Sequence, residues 1–125
     1  MLRMVIVDDD GGMRLVGRML AEQEGYVVVD EAQTGEQGVR LAARTAPDCV
    51  LMDYRLPGMD GAQATRLVLE ARPATTVIGW TSSPEASVAD DFRDAGAFAC
   101  VDKNDLEALR AAIRGAGVRA GALGS

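Results

Sequence analysis

Histidine is absent from this chain of 125 residues. Histidine is the side chain that most often moves a proton or holds a transition metal near neutral pH. Its absence excludes Ser-His-Asp and Cys-His catalysis, phosphohistidine carriage and nearly all histidine-based metal sites. Any chemistry of this chain must therefore depend on its carboxylates, and aspartate and glutamate together number 19.

Long apolar runs and cysteines are scarce as well. No run approaches the roughly 20 apolar residues of a membrane-spanning helix, so we expect no membrane segment and, by default, a cytoplasmic location. The two cysteines, Cys49 and Cys100, fall within predicted buried strands, where we expect small core residues and not a disulfide. A formal net charge of −6 disfavours non-specific binding to nucleic acid or to anionic membranes.

The order of short apolar runs and amphipathic segments predicts a single α/β domain. A chain of this length can bury a proper core. Alternation of the two kinds of segment is typical of a parallel sheet with helices on both faces. We predict strands at 3–7, 26–30, 49–53, 76–81 and 98–101, and helices at 12–24, 35–45, 62–71, 83–95 and 105–114.

Helix ends and buried faces follow from local patterns. Thr34 and Asn104 are predicted N-caps, Pro84 is predicted in the first turn of helix four, and Gly96 is predicted to end that helix. Apolar spacing predicts buried faces formed by Leu15, Val16, Met19 and Leu20 in helix one, Ala64, Leu67, Val68 and Ala71 in helix three, Val88, Ala89, Phe92 and Ala95 in helix four, and Leu106, Leu109 and Ile113 in helix five.

The last residues have no amphipathic period and are rich in glycine and alanine. We therefore predict a domain at 1–116, followed by a flexible tail or the start of a linker at 117–125.

Two predicted strands end on carboxylates. Asp8-Asp9-Asp10 follows the first apolar run, and Asp53 follows Cys49–Met52 just before a Pro-Gly break. Open α/β sheets place ligands at the carboxyl ends of their strands. If these strands are neighbours, their carboxylates converge, and oxygen ligands at that density suit Mg²⁺. The alternative is that Asp53 only caps a turn and Asp10 only caps a helix.

Further motifs stand beside these carboxylates in a specific order. Together the pattern resembles the receiver domain of the two-component response regulators, from about residue 2 to residue 115. The residues that carry this resemblance are Val5-Ile6-Val7-Asp8-Asp9-Asp10, Leu51-Met52-Asp53, Leu56-Pro57-Gly58-Met59-Asp60-Gly61, Thr81 after Val77-Ile78, and Lys103 after Gly96-Ala97. The resemblance implies a doubly wound, flavodoxin-like sheet of five parallel strands in the order 2-1-3-4-5.

The resemblance also implies a role for each site residue. Asp53 would accept a phosphoryl group and also contact Mg²⁺. Asp9 would bind Mg²⁺ directly, Asp8 would bind it through water, and the backbone carbonyl of Arg55 would be a further ligand. Thr81 and Lys103 would contact the phosphoryl oxygens.

Two positions depart from the family pattern. Asn104 stands where many members have a proline after the lysine, in a cis peptide bond. Cys100 stands where an aromatic switch residue is usual. We therefore expect activation to rely on Thr81 and the loop from strand four to helix four, without an aromatic rotamer switch. We also hypothesise that Trp80 fills the volume that the smaller Cys100 leaves.

The function that the resemblance implies is a regulatory phosphoacceptor that assists its own phosphorylation and dephosphorylation, rather than a metabolic enzyme. Its partners would be a sensor histidine kinase or phosphotransfer protein and a downstream effector domain or protein, with a phosphorylation-dependent homodimer as one possible output. No direct binding to nucleic acid or membrane is expected.

Two alternatives stay open. One is a degenerate receiver that acts only as a binding module. The other is an aspartate-nucleophile phosphohydrolase, which would leave Asp53 and Lys103 unexplained.

Overall fold

The fold alternates strands and helices along the whole chain. The computed structural model describes residues 1–82 and 85–124. Its elements are β1 (Leu2–Val7), α1 (Gly11–Gln23), β2 (Tyr26–Ala32), α2 (Gly35–Thr45), β3 (Cys49–Met52), α3 (Gly61–Ala71), β4 (Thr76–Thr81), α4 (Ala86–Ala95), β5 (Ala99–Asp102) and α5 (Leu106–Gly124). The predicted β-α alternation is confirmed.

All neighbouring strands of the sheet are parallel, in the order β2-β1-β3-β4-β5. The expected doubly wound topology is therefore confirmed. In the β1–β3 pair, Val7 is opposite Met52. The residues that follow these two positions, Asp8 and Asp53, consequently leave the sheet side by side.

Each face of the sheet carries its own core, because successive side chains of a strand point to opposite faces. Met4 and Ile6 of β1 belong to a core that Leu109 and Ile113 of α5 also enter. Val5 and Val7 belong to the opposite core, which includes buried residues of α2, α3 and α4. Burial on both faces explains why β1, β3 and β4 are almost continuously apolar.

Several helix ends have the predicted chemistry. The Thr34 side chain accepts a hydrogen bond from the Gln37 N–H at 3.1 Å, which confirms the N-cap of α2. Gly96 ends α4 in a left-handed conformation with φ of 101°, and glycine adopts that conformation with little strain. The predicted helical start at Ser83-Pro84 lies outside the described residues.

The N-cap of α5 is Asp105 and not Asn104, so that prediction was wrong. The Asp105 carboxylate accepts a hydrogen bond from the Ala108 N–H at 3.0 Å. Asn104 instead belongs to the preceding turn, where its own N–H donates to the Asp102 side chain at 2.8 Å.

Helix α5 continues to Gly124, beyond the predicted end of helix five at Arg114. The extension packs on the start of the sheet: Ala116 is fully buried, and a Cβ on Gly117 would lie 3.1 Å from Leu2 Cδ1. Small residues thus bring this turn close to the strands, a form of packing that gives no amphipathic signal in the sequence. The domain boundary at residue 116 stays a prediction.

The predicted buried face of α1 was partly wrong. Leu15 and Met19 are 57% and 53% exposed, whereas Leu20 is 5% exposed. The stripe that faces the sheet includes Gly17 and Ala21. It approaches so closely that a Cβ on Gly17 would lie 3.0 Å from a side-chain carbon of β3. Small residues, which carry little hydropathy signal, therefore set the orientation of α1.

The same cause explains smaller errors in α3 and α5. In α3 the buried stripe includes Thr65, whose hydroxyl donates to the Gly61 carbonyl at 2.7 Å. In α5 it includes Ala112 and Ala116. The residues wrongly predicted as buried are Leu67, Ala71 and Leu106.

Cys49 is buried and Cys100 is half-buried, and both are free thiols. Burial of Cys100 is therefore less complete than predicted. Within the two described ranges, none of the helices combines the length and apolar character that a membrane span requires.

Candidate functional site

The site begins where β1 and β3 end. The Asp8 N–H donates to the Ala32 carbonyl at 3.0 Å, and the Asp53 N–H donates to the Val7 carbonyl at 2.9 Å. These bonds continue the sheet ladder by one residue on each strand. Asp8 and Asp53 are therefore held by the rigid sheet and not by a mobile loop.

The carboxylates of Asp8, Asp9 and Asp53 meet at this edge, as predicted, with one oxygen of each lying within 4.8 Å of the others. Asp8 is fully buried and Asp53 is 6% exposed, whereas Asp9 is exposed to solvent. Close carboxylates repel one another, so such a group favours a bound cation. The donor set consists of hard oxygen ligands with one side open to water, and it fits Mg²⁺.

Lys103 connects the far side of the sheet to this cluster. Its N–H donates to the Thr81 carbonyl at 2.8 Å, which anchors the residue directly after β5. Its Nζ lies 2.7 Å from Asp8 Oδ2 and 3.3 Å from Asp53 Oδ2. The peptide bond from Lys103 to Asn104 is trans. One ammonium thus contacts two of the three carboxylates, and an excess of negative charge remains at the site.

The surroundings change the protonation of both partners. Burial, followed by the charge of Asp8, raises the pKa of Asp53 to about 6, although Lys103 and the Tyr54 N–H act in the opposite direction. Burial lowers the pKa of Lys103, but hydrogen bonds and charges from Asp8 and Asp53 outweigh burial and leave that pKa raised. Lys103 therefore remains an ammonium at neutral pH, and Asp53 is mostly ionised only above pH 6.

Thr81 and Arg55 complete the predicted set. Thr81 is the last residue of β4 and is 1% exposed. It lies two positions beyond Gly79, the β4 partner of Met52, and so belongs to the same edge of the sheet as Asp53. The Arg55 side chain contacts the Tyr54 ring, 5.7 Å from its centroid, and Glu85 at 3.8 Å. Only the backbone carbonyl of Arg55 was expected to bind metal, and that role stays a prediction.

Asp10 has a structural role. Its Oδ1 accepts hydrogen bonds from the Gly12 N–H at 2.8 Å and from the Met13 N–H at 3.3 Å. These bonds satisfy backbone donors of the first turn of α1, as an N-cap does. The helix-cap alternative for Asp10 is confirmed.

Sequence reasoning missed Arg14 and assigned no role to Gly61. Arg14 donates from Nη1 to the Asp8 carbonyl at 2.8 Å. A Cβ on Gly61 would lie only 2.0 Å from the backbone carbonyl oxygen of Asp53. The first turn of α3 therefore packs against the Asp53 backbone at a distance that only glycine allows. The spacing of Gly61 after Asp53 in the sequence could have indicated this close contact. Arg14 could not have been recognised from the sequence, because a lone arginine on a helix is usually solvated.

The hypothesis that Trp80 fills the space beside Cys100 was wrong. Trp80 lies in the core shared with α5, whereas Cys100 packs against the opposite core. In the β4–β5 pair, Cys100 lies opposite Gly79. The Phe92 ring covers this glycine, and a Cβ on Gly79 would lie 2.7 Å from a ring carbon of Phe92. Phe92 therefore fills the volume above Gly79, whereas Cys100 lines an open surface cavity together with Phe98 and Arg93. The buried Trp80 ring instead approaches the site through Lys103, whose Nζ lies 5.4 Å from the ring centroid.

The sheet order and the acidic edge define a flavodoxin-like α/β protein with its functional groups at the carboxyl ends of the strands. Residues 4–114 match the family described as the response regulator receiver domain. The chain therefore belongs to the response regulator receiver domain family.

Similar proteins agree with this assignment. The response regulator GacA of Pseudomonas aeruginosa is 38% identical over 116 residues, which cover 91% of this chain and 54% of GacA. The signal receiver domain of the response regulator NarL of Mycobacterium tuberculosis superposes with a TM-score of 0.80 at 31% identity, covering 94% of this chain and 93% of that one.

The protein-glutamate methylesterase/protein-glutamine glutaminase 4 of Geobacter metallireducens is 35% identical over 106 residues, which cover 82% of this chain and 30% of that enzyme. The chain thus spans about half the length of GacA (54%) and less of the methylesterase. Receiver domains are typically regulatory, and in this comparison only part of an enzyme's length is similar to the chain.

Proposed function

We propose that this domain is a phosphorylation-controlled switch in which Asp53 accepts a phosphoryl group in a Mg²⁺-dependent reaction. The observation that carries the proposal is the convergence of three carboxylates and one lysine at the carboxyl edge of the sheet. A cluster with excess negative charge favours a cation, and the lysine provides a fixed positive charge for an incoming anion.

Asp9, Asp8 and Arg55 would hold the metal: Asp9 through its exposed carboxylate, Asp8 through water, and Arg55 through its backbone carbonyl. When bound, Mg²⁺ would neutralise the negative charge that the phosphoryl group brings to the site. Two unit charges 4 Å apart interact by about 4 kcal/mol at an effective dielectric constant near 20. A phosphoryl group facing uncompensated carboxylates would therefore meet a large barrier.

The proposed reaction is a single displacement at phosphorus. A carboxylate oxygen of Asp53 attacks the phosphorus of a phosphohistidine on the donor protein, and an O–P bond forms as the P–N bond breaks. The imidazole leaves with the electron pair of the broken bond and is protonated by solvent. The product is an acyl phosphate on Asp53. Lys103 and the Thr81 hydroxyl would contact its oxygens.

The proposed partners follow from this chemistry. A sensor histidine kinase or a phosphotransfer protein would donate the phosphoryl group in the cytoplasm. An effector domain or protein would respond to the changed surface, and a phosphorylation-dependent homodimer is one form of response. We propose no direct nucleic-acid or membrane contact by this domain, in line with its net charge of −6.

The test is mass spectrometry of the intact domain after incubation with acetyl phosphate and Mg²⁺. We expect one added phosphoryl group in the wild type and none in Asp53→Asn. Asp30→Asn, which changes an exposed carboxylate within β2, is the matched control and should be modified like the wild type. No adduct in the wild type, or an adduct that persists in Asp53→Asn, would overturn the proposal.

A further inference from the structure

Arg14 joins the acidic loop to the neighbouring edge strand. Its Nη1 donates to the Asp8 carbonyl at 2.8 Å, while its Nε lies 3.0 Å from Glu31 Oε1 of β2. The side chains of Arg14 and Glu31 are only 17% and 25% exposed. This ion pair is therefore partly shielded from solvent. Because the planar guanidinium contacts two acceptors at once, its orientation is restricted more than a single contact would restrict it.

The two backbone groups of Asp8 are both tied to the same strand. Its N–H donates to the Ala32 carbonyl at 3.0 Å, and its carbonyl is held through Arg14 by Glu31, the preceding residue of β2. The Asp8 carbonyl is part of the peptide plane that leads into Asp9. Fixing this plane restricts the backbone from which the exposed Asp9 carboxylate extends.

The next peptide group is fixed from the other side. The Asp10 N–H donates to Asp8 Oδ1 at 2.9 Å, and the Asp10 side chain caps α1. The Asp9 carboxylate is therefore exposed and open to a ligand, while hydrogen bonds hold the backbone on both sides of it.

We propose that Arg14 is a positioning residue for cation binding: anchored by Glu31, it fixes the Asp8–Asp9 peptide so that the Asp9 carboxylate points toward Asp8 and Asp53. The inference rests on the proposed function of the site, because it concerns the same Mg²⁺. It goes beyond that function by giving α1 and β2 a part in forming the site.

Orientation and charge predict opposite effects when Arg14 is removed. The Arg14 guanidinium contacts the Asp8 backbone, and its positive charge repels an incoming cation, so loss of the charge alone would strengthen Mg²⁺ binding. Loss of the carbonyl contact would instead loosen the Asp9 backbone and weaken binding. Removal of a residue that orients a metal ligand typically costs about tenfold or more in affinity. The direction of the change therefore separates the two roles.

Arg18 is the matched control. It also pairs with the Glu31 carboxylate, whereas the hydrogen bond to the Asp8 carbonyl comes from Arg14. We expect Mg²⁺ affinity, measured by calorimetry, to fall about tenfold in Arg14→Ala and less than twofold in Arg18→Ala. Arg14→Lys keeps the charge without the fork and should lose affinity to an intermediate degree. Unchanged or tighter Mg²⁺ binding in both Arg14 variants would overturn the proposal.

A second measurement does not need the metal. Without Mg²⁺, ¹⁵N relaxation of the Asp9 amide should report greater mobility in Arg14→Ala and Arg14→Lys than in the wild type or Arg18→Ala. Equal Asp9 mobility in all four proteins would overturn the positioning role even if Mg²⁺ failed to bind. If the wild type binds Mg²⁺ and is phosphorylated while Arg14 variants behave normally, only this inference fails. If the wild type is not phosphorylated, the proposed function fails.

Discussion

Replacing Asp53 by asparagine should stabilise the fold at neutral pH. Asp53 is 6% exposed and lies beside Asp8, and burial and that neighbouring charge raise its pKa from 3.8 to about 6. An acid whose pKa is higher in the folded state binds protons more tightly when folded. Its contribution to stability is therefore present at low pH and is lost as the pH rises through about 6.

The magnitude follows from the size of the shift. One pKa unit corresponds to about 1.4 kcal/mol, so the ionised Asp53 costs about 3 kcal/mol of stability at pH 7.5 and about 1.5 kcal/mol at pH 5. Asparagine removes the charge and can still accept the Tyr54 N–H at the position of Oδ1, a bond of 2.8 Å. We therefore expect the free energy of unfolding of Asp53→Asn to exceed that of the wild type by these amounts.

The assay is urea unfolding at the two pH values, without divalent cations. Glu22→Gln, an exposed carboxylate on α1, makes the same charge change away from the site and should show no comparable pH-dependent gain. Adding Mg²⁺ should narrow the difference, because a cation that binds the folded wild type stabilises it. A less stable Asp53→Asn at pH 7.5, or the same difference at both pH values, would refute the reasoning.

Three further predictions concern the same edge of the sheet. Asp9→Ala should abolish Mg²⁺ binding and phosphorylation, and calorimetry that finds unchanged Mg²⁺ affinity would contradict the proposed ligand. Lys103→Ala should remain folded and bind Mg²⁺ more tightly, because an ammonium 2.7 Å from Asp8 and 3.3 Å from Asp53 competes with the cation; weaker calorimetric binding would contradict this. Trp80 fluorescence should change when beryllofluoride and Mg²⁺ are added, because the ring lies 5.4 Å from Lys103. Thr81→Ala should suppress that change and Cys100→Ser should not, and the reverse result would exclude the expected switch.

The sheet and the acidic edge could be predicted because their signals are local. Strands β1 and β3 are apolar runs long enough to be buried on both faces, and the residue after each of them is an acid. Once the topology places β1 beside β3, the proximity of Asp8 and Asp53 follows from chain connectivity. The Thr34 and Gly96 helix ends were predictable for the same reason, since one residue supplies each cap.

What could not be predicted depends on contacts between distant residues. The orientation of α1 is set by how closely Gly17 approaches Leu51, and small residues give no apolar period. Whether Trp80 and Cys100 point to the same face of the sheet depends on the register between β4 and β5. This register cannot be predicted from the sequence alone. Arg14 became recognisable as part of the site only through its 2.8 Å contact with the Asp8 carbonyl.

The placement of the two thiols on opposite sides of the sheet has a practical consequence. Burial raises the pKa of both thiols, so access to the reagent is what separates them. Cys49 is fully buried, and a maleimide reagent should not reach it in the folded protein. Cys100 is half-buried beside Phe98, which is 46% exposed, and next to α4. The natural sequence therefore offers a single attachment point for a fluorophore or spin label on the face formed by α4 and β5. A label there would report movement of that face without any engineered cysteine.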